Sequence, residues 1–247
     1  MNFKEKVVWV TGSSRGIGEA CVKKFASLHA SVVIHFHKEK ERALEIQKFI
    51  EEEYKVPTLL VQGDISKEED VKRMTRDVIS HFGHIDVLVN NAAISRDSYI
   101  EEKTKEEFRE VLDVNVIGTF LVTKYVAENM ISRGSGNIIF ISSTNGIDTN
   151  NAWSLDYDAS KAGVISMMRN FALHYAPTLR INSVAPGWVD TEDVLEMNPD
   201  TYQEEKEKCL LKRFAKPEEI ASVVCFIASS EASYINNSVI RVDGGSI

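Results

Sequence analysis

The sequence predicts an α/β protein built on one doubly wound parallel sheet, flanked by helices on both faces. Three observations carry this expectation. Short apolar runs of strand length alternate with longer segments of helical periodicity along the whole chain. The runs are apolar at nearly every residue, as in VVWV and IIFI, the pattern of strands covered on both faces. Polar or glycine-bearing turns follow several of these runs (TGSSRGIG, GDIS, NNAA, APG), where open sheets of this kind bind ligands. The chain has 247 residues, 43% of them apolar, and shows no repeat, low-complexity tract or linker, so 1–247 reads as a single domain.

The elements follow in order. The first strand covers 6–11, and Ile17, Ala20, Cys21, Phe25 and Leu28 then recur at helical spacing. A strand at 31–36 precedes a helix with Ala43, Ile46 and Ile50 on one face; its Glu51–Glu53 run reads as a solvated surface. The third strand spans 58–62. Ser66 and Glu69 form an expected capping box for the next helix, which Gly83 ends. A fourth strand at 85–89 leads to one long helix over 104–132, opened by a Thr104–Glu107 capping box and broken by Gly134. Strand five covers 137–142. A helix from about 157 stops before Pro177, and strand six covers 180–184. The acidic stretch 188–216 lacks core periodicity and reads as a substrate lid. Pro217 opens the last helix, to about 228, and 238–242 is the last strand.

Composition excludes several functions. A net charge of −8 with no basic block opposes nucleic-acid binding. The N-terminus is charged before a short apolar run, unlike a secretion signal or a membrane span, which points to a cytoplasmic protein without membrane contact. The three cysteines contain no C-x-x-C pair. Cys21 and Cys225 read as buried hydrophobes, and Cys209, set among charges, is expected at the surface. The six histidines show no metal-binding spacing, so no metal site is expected.

The turn after the first strand has glycines in the order G-x-x-x-G-x-G, at Gly12, Gly16 and Gly18. Such a turn lets backbone approach a pyrophosphate while the next helix points free N–H groups at it, so a dinucleotide site is expected here. The second strand ends in Phe36 and His37 where a ribose-binding acid would stand, with Lys38 and Lys40 following and Arg15 inside the turn. These cations suit a 2′-phosphate, which favours NADP(H) over NAD(H).

Three of the seven tyrosines have a lysine four residues on: Tyr99 with Lys103, Tyr157 with Lys161, and Tyr202 with Lys206. Only Tyr157 follows a polar loop hung from a central strand; the other two read as surface residues. A lysine on the same helix face stabilises the phenolate and is expected to lower the tyrosine pKa, equipping Tyr157 to protonate a nascent alkoxide. Ser143 stands at a strand end, suited to orient a substrate carbonyl. There is no G-x-S-x-G elbow of a serine hydrolase. Asn115 interrupts a helical pattern; facing inward, it could hold water or backbone groups for a proton relay.

Taken together, TGSSRGIG, GDIS, NNAA, VNVIG, ISS, YDASK, INSVAPG and RVDGG resemble the short-chain dehydrogenase/reductase family over nearly the whole chain. The resemblance implies a Rossmann-type fold and catalytic Asn115, Ser143, Tyr157 and Lys161. It implies a cofactor site formed by Gly12, Ser14, Arg15, Gly16, Ile17, Gly18, Phe36, His37, Lys38, Asp64, Ile65, Asn90, Ala92, Tyr157, Lys161, Pro186, Gly187, Val189 and Thr191. Within the family the chain looks most like the 3-oxoacyl-[acyl-carrier-protein] reductases of fatty acid synthesis, which implies a thioester substrate on an acyl carrier and a homotetramer. It departs from them in a longer loop after Ser143, in Ala93, in YINNS at 234–238, and in Leu173 where such reductases often carry an arginine. Arg133 and Arg169 are expected nearby to compensate, whereas Glu192, Asp193, Glu196 and Asp200 would not attract an acidic carrier. A reductase or dehydrogenase of a sugar, polyol or other small alcohol is the alternative, and a non-catalytic dinucleotide-binding protein is an alternative of another class.

Overall fold

The computed structural model describes residues 1–245. Seven parallel strands form one sheet in the order β3-β2-β1-β4-β5-β6-β7. They are Val7–Val10 (β1), Ser31–Phe36 (β2), Thr58–Gln62 (β3), Val87–Asn90 (β4), Gly136–Ile141 (β5), Leu179–Pro186 (β6) and Val239–Val242 (β7). The alternation within β1 shows why both faces must be covered. Val8 and Val10 face one core with Gly16–Ser27 (α1), Lys40–Glu53 (α2) and Pro217–Ala228 (α9). Val7 and Trp9 face the other core, with Glu68–Phe82 (α3), Thr119–Arg133 (α5) and Leu155–Tyr175 (α6).

After β3 the chain returns to the other side of β1, so the ends of β1 and β4 diverge at a switch point. Loops leave a crevice at such a point. Each expected strand and helix is present, with ends displaced by one to a few residues.

Three local expectations are corrected. The long helix is not uniform: Lys105–Leu112 (α4) passes through a π-helical stretch, Asp113–Gly118, into α5. The Thr104–Glu107 capping box is present, with Thr104 Oγ1 accepting the Glu107 N–H at 3.2 Å. Ser66, however, does not cap α3. Its N–H and hydroxyl both donate to Asp64 Oδ1, at 2.9 and 2.7 Å, and this local turn displaces the capping box and moves the helix start to Glu68. Cys209 is buried, 6% exposed, because Asp243 and Gly244 fold back over it and their carbonyls accept from its thiol.

The stretch 188–216 contains two short helices, Glu192–Leu195 (α7) and Pro199–Lys208 (α8). Asn198 caps α8 by accepting from the Asp200 N–H at 2.9 Å. Stacking of Trp188 on Phe214 and a bridge between Val189 and Ala215 close its base.

Candidate active site

The turn after β1 is held by its neighbours. Gly12 has φ +62°, and a Cβ there would lie 2.8 Å from Ala92 Cα, so no larger residue fits. Thr11 Oγ1 accepts the N–H groups of Asn91 and Ala92, at 2.9 and 3.0 Å, and Asn91 Nδ2 donates to the Thr11 and Gly12 carbonyls, both at 2.9 Å. The ends of β1 and β4 are thereby locked together on either side of the crevice.

His35 completes the lock and was not foreseen. It is buried in β2, accepts the Gly12 N–H on Nδ1 at 2.8 Å, and donates from Nε2 to the Gly63 carbonyl, 3.1 Å away. A backbone N–H can only donate, so the proton sits on Nε2. Burial pushes the histidine pKa down to about 4, against the smaller opposing effect of the Gly63 carbonyl. The signal was one imidazole inside the apolar run SVVIHF.

A cleft of about 1630 Å³ opens above the strand ends. It exceeds the usual range for a single small-ligand pocket, leaving room for a dinucleotide and a second molecule. Gly12, Ser14, Arg15, Gly16 and Ile17 line it, as do Phe36, His37 and Lys38 at the end of β2. Asp64 and Ile65 follow from the end of β3, Ala92 from β4, and Pro186, Gly187, Val189 and Thr191 from β6. Gly18 and Asn90 do not reach the cleft. Gly18 lets α1 pack on the turn, since a Cβ would lie 2.3 Å from the Gly12 carbonyl. Asn90 is buried and donates to Thr123 Oγ1 at 2.9 Å.

Arg15 reaches across to Asp193 at 3.2 Å, and Arg42 meets Glu192 at 2.5 Å, so α7 is pinned over the glycine turn. All four side chains are exposed, which makes these contacts salt-sensitive.

Ser143, Tyr157 and Lys161 come together at the other end of the cleft. Ser143 follows β5, while Tyr157 and Lys161 lie one turn apart on α6. Tyr157 and Ser143 line the same cleft, and the Ser143 hydroxyl acts to lower the tyrosine pKa. Lys161 Nζ is buried behind the ring, 5.3 Å from its centroid, and donates to the Ile141 carbonyl at 2.9 Å. The other two tyrosine–lysine pairs fall outside: Tyr99 is exposed, and the Tyr202 hydroxyl donates to Asp190 at 2.8 Å.

The expected lowering of the tyrosine pKa is not what this arrangement gives. Burial raises Tyr157 to about 12, opposed by the Ser143 hydroxyl and reinforced by the Asp158 and Asp97 carboxylates. Burial also lowers Lys161 to about 8, so desolvation acts on both groups. Tyr157 is therefore fully protonated at neutral pH, the state a proton donor needs.

Asn115 does not face the cleft. The π-helical stretch turns it inward, where Nδ2 donates to the Ile94 carbonyl at 2.9 Å and to Ser160 Oγ at 3.0 Å, and Oδ1 accepts the Ile94 N–H at 2.8 Å. Ser160 in turn donates to the Tyr157 carbonyl at 2.7 Å. Asn115 thus braces the loop after β4 against the tyrosine's helix. The cleft also takes in residues the sequence did not single out, among them Trp188, Arg241 and Asn145. Arg241 clamps Asp148 at 2.9 and 2.6 Å, joining the loop after Ser143 to β7. Of the two arginines expected to compensate for Leu173, Arg133 lies beside Asp86, 3.8 Å away, at the opposite end of the sheet from the cleft. Among the described residues no group of side chains could hold a metal ion, and no helix is long and apolar enough to cross a membrane.

A seven-stranded sheet of this order, a glycine turn at its switch point and a serine–tyrosine–lysine cluster define an oxidoreductase acting between CH–OH and C=O groups with a NAD(P) dinucleotide. The chain belongs to the short-chain dehydrogenase/reductase family: residues 12–246 match the family model described as enoyl-(acyl carrier protein) reductase. It is 39% identical to the 3-oxoacyl-[acyl-carrier-protein] reductase of Aquifex aeolicus, over 99% of this chain and 98% of the relative. It is 35% identical to glucose 1-dehydrogenase 2 of Bacillus subtilis, over 97% and 94%. The structure of L-sorbose reductase from Gluconobacter frateurii, complexed with NADPH and L-sorbose, superposes with a TM-score of 0.93 at 29% identity, covering 100% of this chain and 98% of that one.

Proposed function

We propose that this protein is an NADPH-dependent carbonyl reductase that converts 3-oxoacyl thioesters to 3-hydroxyacyl thioesters. The observation that carries the reading is Tyr157, sharing one cleft with Ser143 and with Lys161 Nζ 5.3 Å from its ring centroid, in a space that can also hold a dinucleotide. Gly12, Ser14, Arg15, Gly16 and Ile17 would hold the cofactor phosphates, with Asp64 and Ile65 near the adenine and Val189 and Thr191 near the nicotinamide. When bound, the reduced nicotinamide supplies the hydride. Ser143 turns its hydroxyl from Asn145 to the substrate carbonyl and orients it. Tyr157 gives its proton to the oxygen as negative charge develops there. The Lys161 ammonium stabilises the phenolate left behind and would hold the cofactor ribose. Asn115 acts from behind by fixing the loop after β4 against α6.

Arg15, His37 and Lys38 support the choice of NADPH, since all three line the cleft where a 2′-phosphate would lie and β2 ends without an acid. Residues 188–216 are read as the substrate lid. The exposed apolar residues Phe120 on α5 and Leu173 on α6 support a homotetramer, tested by light scattering. A cytoplasmic location fits this reading.

One observation favours a second substrate class. The wall formed by 145–153 is mostly polar, presenting Asn145, Asp148, Thr149, Asn150 and Asn151 to the cleft beside Ala152 and Trp153. These groups suit the hydroxyls of a sugar or polyol better than an apolar acyl chain. The test is oxidation of NADPH and NADH, followed at 340 nm, with acetoacetyl-CoA and L-sorbose. Reduction of acetoacetyl-CoA with NADPH is expected. Preference for L-sorbose moves the substrate to the second class, preference for NADH removes the phosphate argument, and failure with every carbonyl leaves a non-catalytic dinucleotide-binding protein.

A further inference from the structure

Tyr157 is bracketed by two aspartates whose carboxylates go to two different wall segments of the cleft, which meet where the Ser98 N–H donates to the Trp153 carbonyl at 3.0 Å. Neighbouring side chains on a helix diverge by about 100° each, so residues 156 and 158 splay to either side of the one between them. Asp156 is wholly buried. Its Oδ2 receives Lys103 Nζ at 3.0 Å, and its Oδ1 accepts the N–H of Tyr157 itself at 2.9 Å. Lys103, also buried, donates in addition to the Arg96 carbonyl. One ion pair therefore ties the first turn of α6 to segment 96–103, whose start, Arg96 and Asp97, forms one wall of the cleft.

Asp158 serves the other wall. It accepts Asn145 Nδ2 at 2.7 Å and Ser154 Oγ at 2.8 Å on Oδ1, and the Asn151 N–H at 3.0 Å on Oδ2. A carboxylate only accepts, so the Asn145 amide must turn its NH2 toward Asp158 and its oxygen toward Ser143. Asn145 Oδ1 duly lies 3.2 Å from Ser143 Oγ, which also accepts the Asn145 backbone N–H at 3.2 Å. The position of the serine side chain is passed down from Asp158 through one amide.

We propose that Asp156 and Asp158 are positioning residues: each anchors one wall segment of the substrate cleft to the turn that carries Tyr157, and Asp158 positions the side chain of Ser143 through Asn145. Both walls are loops, and loops move unless tied. A misplacement of about 1 Å between reacting groups costs on the order of a hundredfold in rate, so anchoring at the proton donor keeps the serine and the tyrosine in one frame. Neither carboxylate touches the reacting atoms. The inference rests on Tyr157 being the proton donor.

The test pairs kinetics with hydrogen–deuterium exchange, which needs no substrate. In Asp158→Ala, amides of 144–152 should exchange faster while those of 100–103, beyond the Ser98–Trp153 joint, keep their rates. With acetoacetyl-CoA, or with L-sorbose if the thioester is not reduced, kcat should fall at least tenfold while the Kd for NADPH stays within twofold. Asp158→Asn retains one acceptor oxygen for Asn145 and should recover part of the loss. Lys103→Met should give the reverse exchange pattern, and Lys103→Arg should restore it. If Lys103→Met does not fold, because it strands the buried Asp156, the double variant Lys103→Met/Asp156→Asn takes its place and keeps the acceptor for the Tyr157 N–H. Equal acceleration of both segments in either variant, or wild-type kcat in Asp158→Ala, overturns the proposal. Tyr157→Phe is run in parallel: turnover by that variant removes the assignment of Tyr157 as proton donor, while the exchange patterns still judge the two anchors.

Discussion

His35→Gln isolates the acid sensitivity built into the glycine turn. In the folded protein the neutral imidazole joins Gly12 to Gly63, and its pKa is about 4 against an ordinary 6.5. A base whose pKa is lowered on folding binds more protons in the unfolded chain between those two values. Stability from this group is therefore intact above about pH 6.5 and is lost as pH falls toward 4. Linkage gives a loss of about 2 kcal/mol by pH 5 and about 3 kcal/mol once pH falls below 4. Glutamine supplies one acceptor and one donor in similar positions but does not titrate. Urea unfolding of both proteins at pH 7.5 and pH 5 reads the difference directly. The wild type should lose about 2 kcal/mol more than the variant between the two conditions, with matching m-values. Parallel losses in the two proteins would mean that His35 is protonated without cost, and the hydrogen-bonded neutral imidazole would be wrong.

Other outcomes follow from the same geometry. Tyr157→Phe should lower kcat by about 10²–10⁴-fold, the range for a general acid, with NADPH affinity unchanged by fluorescence titration. Arg15→Ala should weaken NADPH by about ten- to a hundredfold, as expected for loss of a charge-assisted contact, and NADH much less; equal weakening would remove Arg15 from the 2′-phosphate. Gly12→Ala places a methyl 2.8 Å from Ala92 Cα at φ +62° and should abolish cofactor binding and lower Tm by several degrees. Asp193→Asn frees Arg15 from its partner across the cleft and should tighten NADPH more at low salt than at high salt, measured by titration at two ionic strengths.

The sequence alone determined the strand and helix order, the glycine turn and the end of the sheet that bears the site, because these are written in local periodicity and in residues with restricted backbone geometry. Apolar runs of strand length bounded by turns mark strands covered on both faces, and Gly12 stands where no side chain fits. It also separated Tyr157 from Tyr99 and Tyr202, since only one of the three follows a loop at a central strand end. Only the tertiary structure decided what depends on partners distant in sequence. Ser66 looked like a cap, but Asp64 takes both of its donors. Cys209 sits among charges in sequence, yet the chain end 34 residues later covers it. Asn115 stood in a helical pattern, with a surface role or an inward one toward backbone groups open to it, and a π-helical stretch decides for the second by turning it onto the backbone of the loop after β4. The tyrosine–lysine spacing implied a lowered phenol pKa, whereas burial, which no spacing encodes, raised the tyrosine and lowered the lysine. Local pattern fixes which elements form and roughly where they end; hydrogen-bond partners and desolvation are properties of the packed whole, and they decide what each side chain in the cleft can do.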